Sequence, residues 1–92
     1  MRDIPGDNKE ALALAFLSYL RINGLACQYR TPLDGWPEIY GLTRQGYYFG
    51  IYVTGESFDL STEQLRRQKE IADSHGIYVY AGSIQDLIEH GF

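Results

Sequence analysis

The stretch that decides the fold runs from residue 35 to residue 55, GWPEIYGLTRQGYYFGIYVTG. It divides into two short strands, 37–43 and 47–54, joined by a turn at Arg44-Gln45-Gly46. The aromatic and β-branched run YYFGIYV suits a sheet. Side chains alternate along a strand, so Tyr52 and Thr54 share one face and Tyr48 lies on that same face. Tyr40 lies on the same strand face as Glu38, which follows the Gly-Trp-Pro entry into the first strand.

Elements on either side of the hairpin are clearly signalled. Asp7 with Glu10 three residues on forms a capping-box pattern, and the run from Ala11 to Ile22 places Leu12, Phe16, Tyr19 and Leu20 at helical spacing. Gly24 stands where a helix ends in a left-handed residue. LACQYRT then alternates Leu25, Cys27 and Tyr29 against Ala26, Gln28 and Arg30, as a strand does, before a loop bracketed by Pro32 and Gly35. After the hairpin, Ser61 and Gln64 repeat the capping pattern for EQLRRQKEIADSH, with Leu65, Ile71 and Ala72 expected to face inward and Gly76 expected to end the helix. IYVYAG is a short apolar run bounded by glycines and reads as a buried strand. Ser83 caps a last helix, IQDLIEH, ended by Gly91. The order is α-β-β-β-α-β-α, and the helical crossover before the last strand lets it pair parallel in a mixed sheet flanked by helices.

Composition narrows the classes. A chain of 92 residues with 45% hydrophobic content makes one domain, 1–92, with a modest core, and chains this small often complete their burial by self-association. Net charge is −4, with 8 Lys and Arg against 12 Asp and Glu, which argues against a protein held to DNA mainly through phosphates. The single Cys27 excludes an intramolecular disulfide and a zinc site of several thiols, and its strand context reads as a buried, inert thiol. The longest apolar run, ALALAFL, is far short of the roughly 20 residues of a membrane span. The N-terminus lacks the apolar segment of a signal peptide, so a cytoplasmic location with no membrane partner is the expectation.

Several segments together resemble a stand-alone VRR-NUC domain, a branch of the restriction-endonuclease-like PD-(D/E)XK superfamily. Glu10 stands where such proteins carry a first-helix acid. RTPLDGWPEIYG is similar to their arginine, loop and Gly-x-Pro-Asp segment, FDLSTEQ to their Leu-Ser-x-x-Gln entry into the second helix, and HGIYVYAGSIQDLIE to their final strand and helix. The resemblance implies a restriction-endonuclease-like fold, a homodimer, and a site of Glu10, Asp at 38, Glu at 52, Lys at 54 and Gln64 binding Mg²⁺ or Mn²⁺. This chain has Glu38, Tyr52 and Thr54 instead. A protonated phenol is a poor ligand for a hard cation and a threonine supplies no positive charge. Groups of this kind each contribute roughly 100- to 10,000-fold, so no catalytic residue and no cofactor is expected; Glu38 and Glu10 are the weak metal candidates that remain. Glu56, in the turn after Gly55, is a further candidate acid.

Each candidate also has a plain structural reading. Tyr52 and Thr54 are good strand residues, and Gln64 is explained by capping. Arg66, Arg67 and Lys69 read as a solvated helix face diluted by Glu63 and Glu70, and His75 and His90 as residues that favour helix C-termini. Eight tyrosines and one tryptophan are more than so small a core readily buries. Trp36, Tyr40, Tyr48 and Tyr52 cluster around the hairpin, and such rings anchor protein interfaces. The resulting expectation is a catalytically degenerate VRR-NUC-like protein that works by binding, to itself as a homodimer through the aromatic hairpin and to a protein that handles nucleic acid. A phage inhibitor of the anti-CRISPR kind is one form of this, with DNA the less favoured partner. The alternative is an active, homodimeric, metal-dependent endonuclease for branched DNA, built on Glu10, Glu38, Gln64 and Glu56.

Overall fold

The computed structural model describes residues 5–30, 35–54 and 61–92. Seven elements follow in the expected order: α1 (Pro5–Ile22), β1 (Ala26–Tyr29), β2 (Ile39–Leu42), β3 (Tyr48–Val53), α2 (Thr62–Asp73), β4 (Ile77–Ala81) and α3 (Ile84–Glu89). The strands form one mixed sheet in sequence order, β1-β2-β3-β4. β1 and β2 pair antiparallel, as do β2 and β3, while β4 lies parallel to β3 after the α2 crossover.

Register separates the sheet into two unlike faces. Ile39 opposes Ile51, Phe49 opposes Ile77, Ile51 opposes Val79 and Val53 opposes Ala81, which puts the aliphatic residues on one side. Ala13, Phe16 and Leu20 of α1 and Leu87 of α3 close over that side to form the buried core. Phe92 completes it: its ring lies 5.0 Å from that of Phe49, and its carbonyl accepts from the Tyr19 hydroxyl. The opposite face carries Tyr40, Tyr48, Gly50, Tyr52, Tyr78 and Tyr80, and α2 lies over part of it.

Local signals explain most element ends. The Ser61 hydroxyl accepts from the Gln64 N–H while the Gln64 side chain accepts from the Ser61 N–H, a complete capping box. Ser83 caps α3 through the Asp86 N–H. Gly24 takes the left-handed conformation expected of it, and Gly46 and Gly91 are left-handed as well. Three expectations are corrected. α1 begins at Pro5, so Asp7 lies inside its first turn, with proline at the start where its missing N–H costs nothing. The left-handed residue after α2 is His75, at φ 65°; Gly76 is instead required for packing, since a Cβ there would lie 2.8 Å from Ile71 Cγ2. The inward stripe of α2 is Gln64, Arg67, Gln68 and Ile71 rather than Leu65, Ile71 and Ala72; Leu65 is 52% exposed.

Candidate functional site

The Gly35-Trp36-Pro37 segment is wedged between the tyrosine face of the sheet and α2. Gly35 has φ 80°, and a Cβ on it would lie 2.4 Å from the main-chain carbon and oxygen of Glu63, so the chain here touches the first turn of α2. Pro37 covers Gly50, where an added Cβ would come within 2.4 Å of the proline ring. The half-buried Trp36 ring receives the Arg67 guanidinium at 4.8 Å, a cation–π contact, and Arg67 also pairs with Glu70 at 3.0 Å.

The positions that the resemblance marks as catalytic lie in and beside this wedge. Glu38 is 3% exposed, and its Oε1 accepts the Val53 N–H at 3.0 Å. Its main-chain carbonyl accepts the Arg30 N–H at 2.8 Å, so Glu38 ties β1, β2 and β3 together where the ladder ends. Continuing the β2–β3 register sets Glu38 opposite Tyr52. Tyr52 is 1% exposed and donates its hydroxyl to the Gly35 carbonyl at 2.9 Å. Burial, with the neighbouring Tyr80 and Tyr48 and the Glu38 charge adding to it, raises the Tyr52 pKa far above the ordinary phenol range; Arg67 opposes this more weakly. Thr54 extends the same row. Its N–H donates to Ala81, and its Oγ1 sits 2.8 Å from where a Cβ on Gly82 would be. The Gln64 side chain is engaged in the capping box.

Glu10 approaches from α1. Burial raises the Tyr29 pKa, and the charges of Glu10 and Glu38 raise it further. That is as far as the metal candidates come together: among the described residues no three His, Cys, Asp or Glu side chains are placed to share an ion. A Mg²⁺ or Mn²⁺ centre needs carboxylates free to bind and an open octahedral shell. Glu38 offers one oxygen already bonded to a backbone amide, and Tyr52 offers a neutral phenol already bonded to a carbonyl. This set does not fit the ion. Glu56 lies outside the described residues.

The aromatic binding set separates into two kinds. Tyr52 belongs to the packed layer beneath α2, its ring 5.4 Å from that of Tyr80, and it is therefore not a contact residue. Trp36 is half-buried under Arg67. Tyr40 and Tyr48 are diagonal neighbours on the sheet and line an open groove of about 440 Å³ with Ala26, Gln28, Leu42 and Arg21. Burial raises the Tyr48 pKa, with Tyr40 adding to it and Arg30 opposing it. Among the described residues from 21 to 54, the charged side chains are Arg21, Arg30, Arg44 and the buried Glu38. Of these, Arg21 lines the groove. Leu42, half exposed, and these arginines escaped the sequence reading, although charge counted by segment was the signal for them.

Arg21 and Arg44 are held in place by backbone carbonyls. Arg21 donates from Nε and Nη2 to Cys27 O at 3.2 and 3.1 Å, and Arg44 donates to Asn23 O. Cys27 is buried, and desolvation raises its thiol pKa against the pull of Arg21, consistent with an inert core residue. His75 and His90 are exposed at helix ends. Among protein-family models, curated proteins and solved structures, none significantly matches this chain.

Proposed function

We propose that this chain is a non-catalytic, VRR-NUC-like protein that acts by binding another protein through the open tyrosine groove. The observation that carries this reading is Tyr52: the position assigned by the resemblance to a metal-binding acid holds a buried, neutral phenol whose hydroxyl is spent on Gly35. Beside it, Tyr40, Tyr48 and Leu42 with Arg21 supply the residue types that anchor protein interfaces, set on the sheet. Arg21 at the groove calls for an acidic group on the partner next to the pockets that take the tyrosines. The partner class remains a protein that handles nucleic acid, and inhibition of such a complex, as by a phage-borne inhibitor, is what such binding would accomplish.

A cleavage assay tests the loss of chemistry on which this reading rests. Duplex, flap and four-way-junction DNA incubated with the protein and Mg²⁺ or Mn²⁺ is expected to remain intact. Metal-dependent cleavage that Glu38→Ala abolishes overturns the reading in favour of a branched-DNA endonuclease.

A further inference from the structure

The tyrosine groove is bordered by the main chain of an outermost strand. β1 pairs with β2 alone. The Arg30 N–H donates to the Glu38 carbonyl, and residue pairs that exchange such bonds alternate along an antiparallel ladder. Arg30, Gln28 and Ala26 therefore turn their main-chain groups toward β2, while Cys27 and Tyr29 turn theirs away from the sheet. The Cys27 carbonyl bears this out, since it accepts from Arg21 of α1. Leu25, Ala26, Cys27 and Gln28 all line the groove, although successive side chains along a strand point to opposite faces. A space that touches all of them lies against the strand's main chain. Resting on the reading of this groove as a protein-binding surface, we infer that the partner enters it as an extended segment that adds to β1 as a further strand. In such additions main-chain hydrogen bonds supply affinity and alternate side chains supply specificity.

The two faces of β1 set the pattern of that segment. A residue beside Cys27 shares the face that α1 covers, where Arg21 stands. An N–H of the segment takes over the Cys27 carbonyl, and the released guanidinium fork receives a carboxylate, so this residue is Asp or Glu. Its neighbours on either side lie beside Ala26 and Gln28, on the tyrosine face. Ala26 is small and leaves Leu42, its partner across the ladder, 50% exposed; Tyr40 stands opposite Gln28. Both neighbours are therefore large and apolar. The occupant is an extended apolar–acid–apolar segment, and this pattern reads the same in either direction along the chain.

Selection of a displayed library of random short peptides against the full chain supplies the probe, and the selected peptide is then synthesised for titration. Melting curves show that each variant is folded. Enriched sequences are expected to share the apolar–acid–apolar core. Replacing the acid by its amide is expected to weaken binding roughly 10-fold in the wild-type protein and to change nothing in Arg21→Ala. N-methylation should abolish binding at alternate peptide residues, and the bound peptide should slow amide hydrogen exchange at Cys27 and Tyr29. Enrichment of no peptide, N-methyl sensitivity without alternation, or an acid preference that survives Arg21→Ala overturns the inference. So does protection of the Cys27 and Tyr29 amides that rises with protein concentration in the free chain, which places a second copy on the edge. A peptide that is lost with Tyr40→Ala and Tyr48→Ala yet leaves both amides exchanging overturns strand addition and upholds the reading of the groove. One that protects both amides and ignores those variants upholds strand addition and overturns the reading of the groove.

Discussion

The hydroxyl of Tyr52 and the carbonyl of Gly35 are joined by a 2.9 Å hydrogen bond that closes the sheet onto the loop and, through the loop, onto α2. The two residues are neighbours only because Gly35 adopts a left-handed φ and lies against the Glu63 backbone. A position that a metal site requires to be open is here a strut.

Removing that strut has a defined cost. Tyr52→Phe keeps the ring and leaves the Gly35 carbonyl without its donor, so urea unfolding should show a loss of about 1–2 kcal/mol with an unchanged denaturant slope. Tyr52→Ala also empties a buried ring site and should cost about 3–5 kcal/mol.

Alkaline pH exposes the same residue. The pKa values of Tyr52, Tyr48, Tyr80 and Tyr29 are all raised in the folded chain, chiefly by burial. Above the ordinary phenol pKa of about 10 the unfolded chain releases protons that the folded chain retains, so it binds fewer protons and stability falls as pH rises. The contribution is complete below that pH and is lost through the higher folded values. A stability–pH profile should decline above about pH 10, and Tyr52→Phe should flatten that decline.

Glu38 gives a test that separates scaffold from relict ligand. Glu38→Gln retains an oxygen acceptor for the Val53 N–H and should be tolerated, whereas Glu38→Ala strands a buried donor and should cost about 1–3 kcal/mol. The melting temperature of the wild-type protein should not respond to Mg²⁺ or Mn²⁺, and a rise lost in Glu38→Gln would identify a bound ion.

Gly35→Ala should be among the most destabilising single-methyl additions in the chain. The new Cβ lies 2.4 Å from the backbone of Glu63, and the residue needs a positive φ. Relief requires displacing the start of α2, so a loss of about 2–4 kcal/mol is expected in thermal or urea unfolding.

Partner affinity should divide the tyrosines by position. Tyr40→Ala and Tyr48→Ala in the groove should weaken partner binding by roughly 30-fold each, as interface anchors do, and lower the melting temperature little. Tyr52→Ala should do the reverse, with lost stability and near-normal affinity of the protein that stays folded. Calorimetric titration paired with melting curves reads both.

Why some of this was legible in the sequence and some was not follows from particular residues. Caps and left-handed turns are written locally, so Ser61 with Gln64, Ser83, Gly24 and Gly46 gave their elements directly. The alternation in β2 and β3 gave the two faces, and with them the placing of Tyr40 and Tyr48. The facing of α2 was not legible because apolar periodicity presumes an apolar floor. This helix lies on tyrosines and on the Gly35–Pro37 segment, where Arg67 stacks on Trp36 and Gln68 is buried, so Leu65 turns outward. Tyr52 was misassigned for a related reason: only the loop's tertiary course, set 17 residues away in sequence, covers it.

The clamp of Arg21 on Cys27 also bears on the open edge of the sheet. β1 is an outermost strand, and its outward carbonyl at Cys27 is claimed by a guanidinium from the preceding helix. An unclaimed outer strand recruits extended segments from other molecules and seeds cross-β growth. Arg21 covers one outer carbonyl of this strand, so an Arg21→Ala protein held at high concentration should associate through β1 sooner than the wild type, read by thioflavin fluorescence, while unfolding at nearly the same urea concentration.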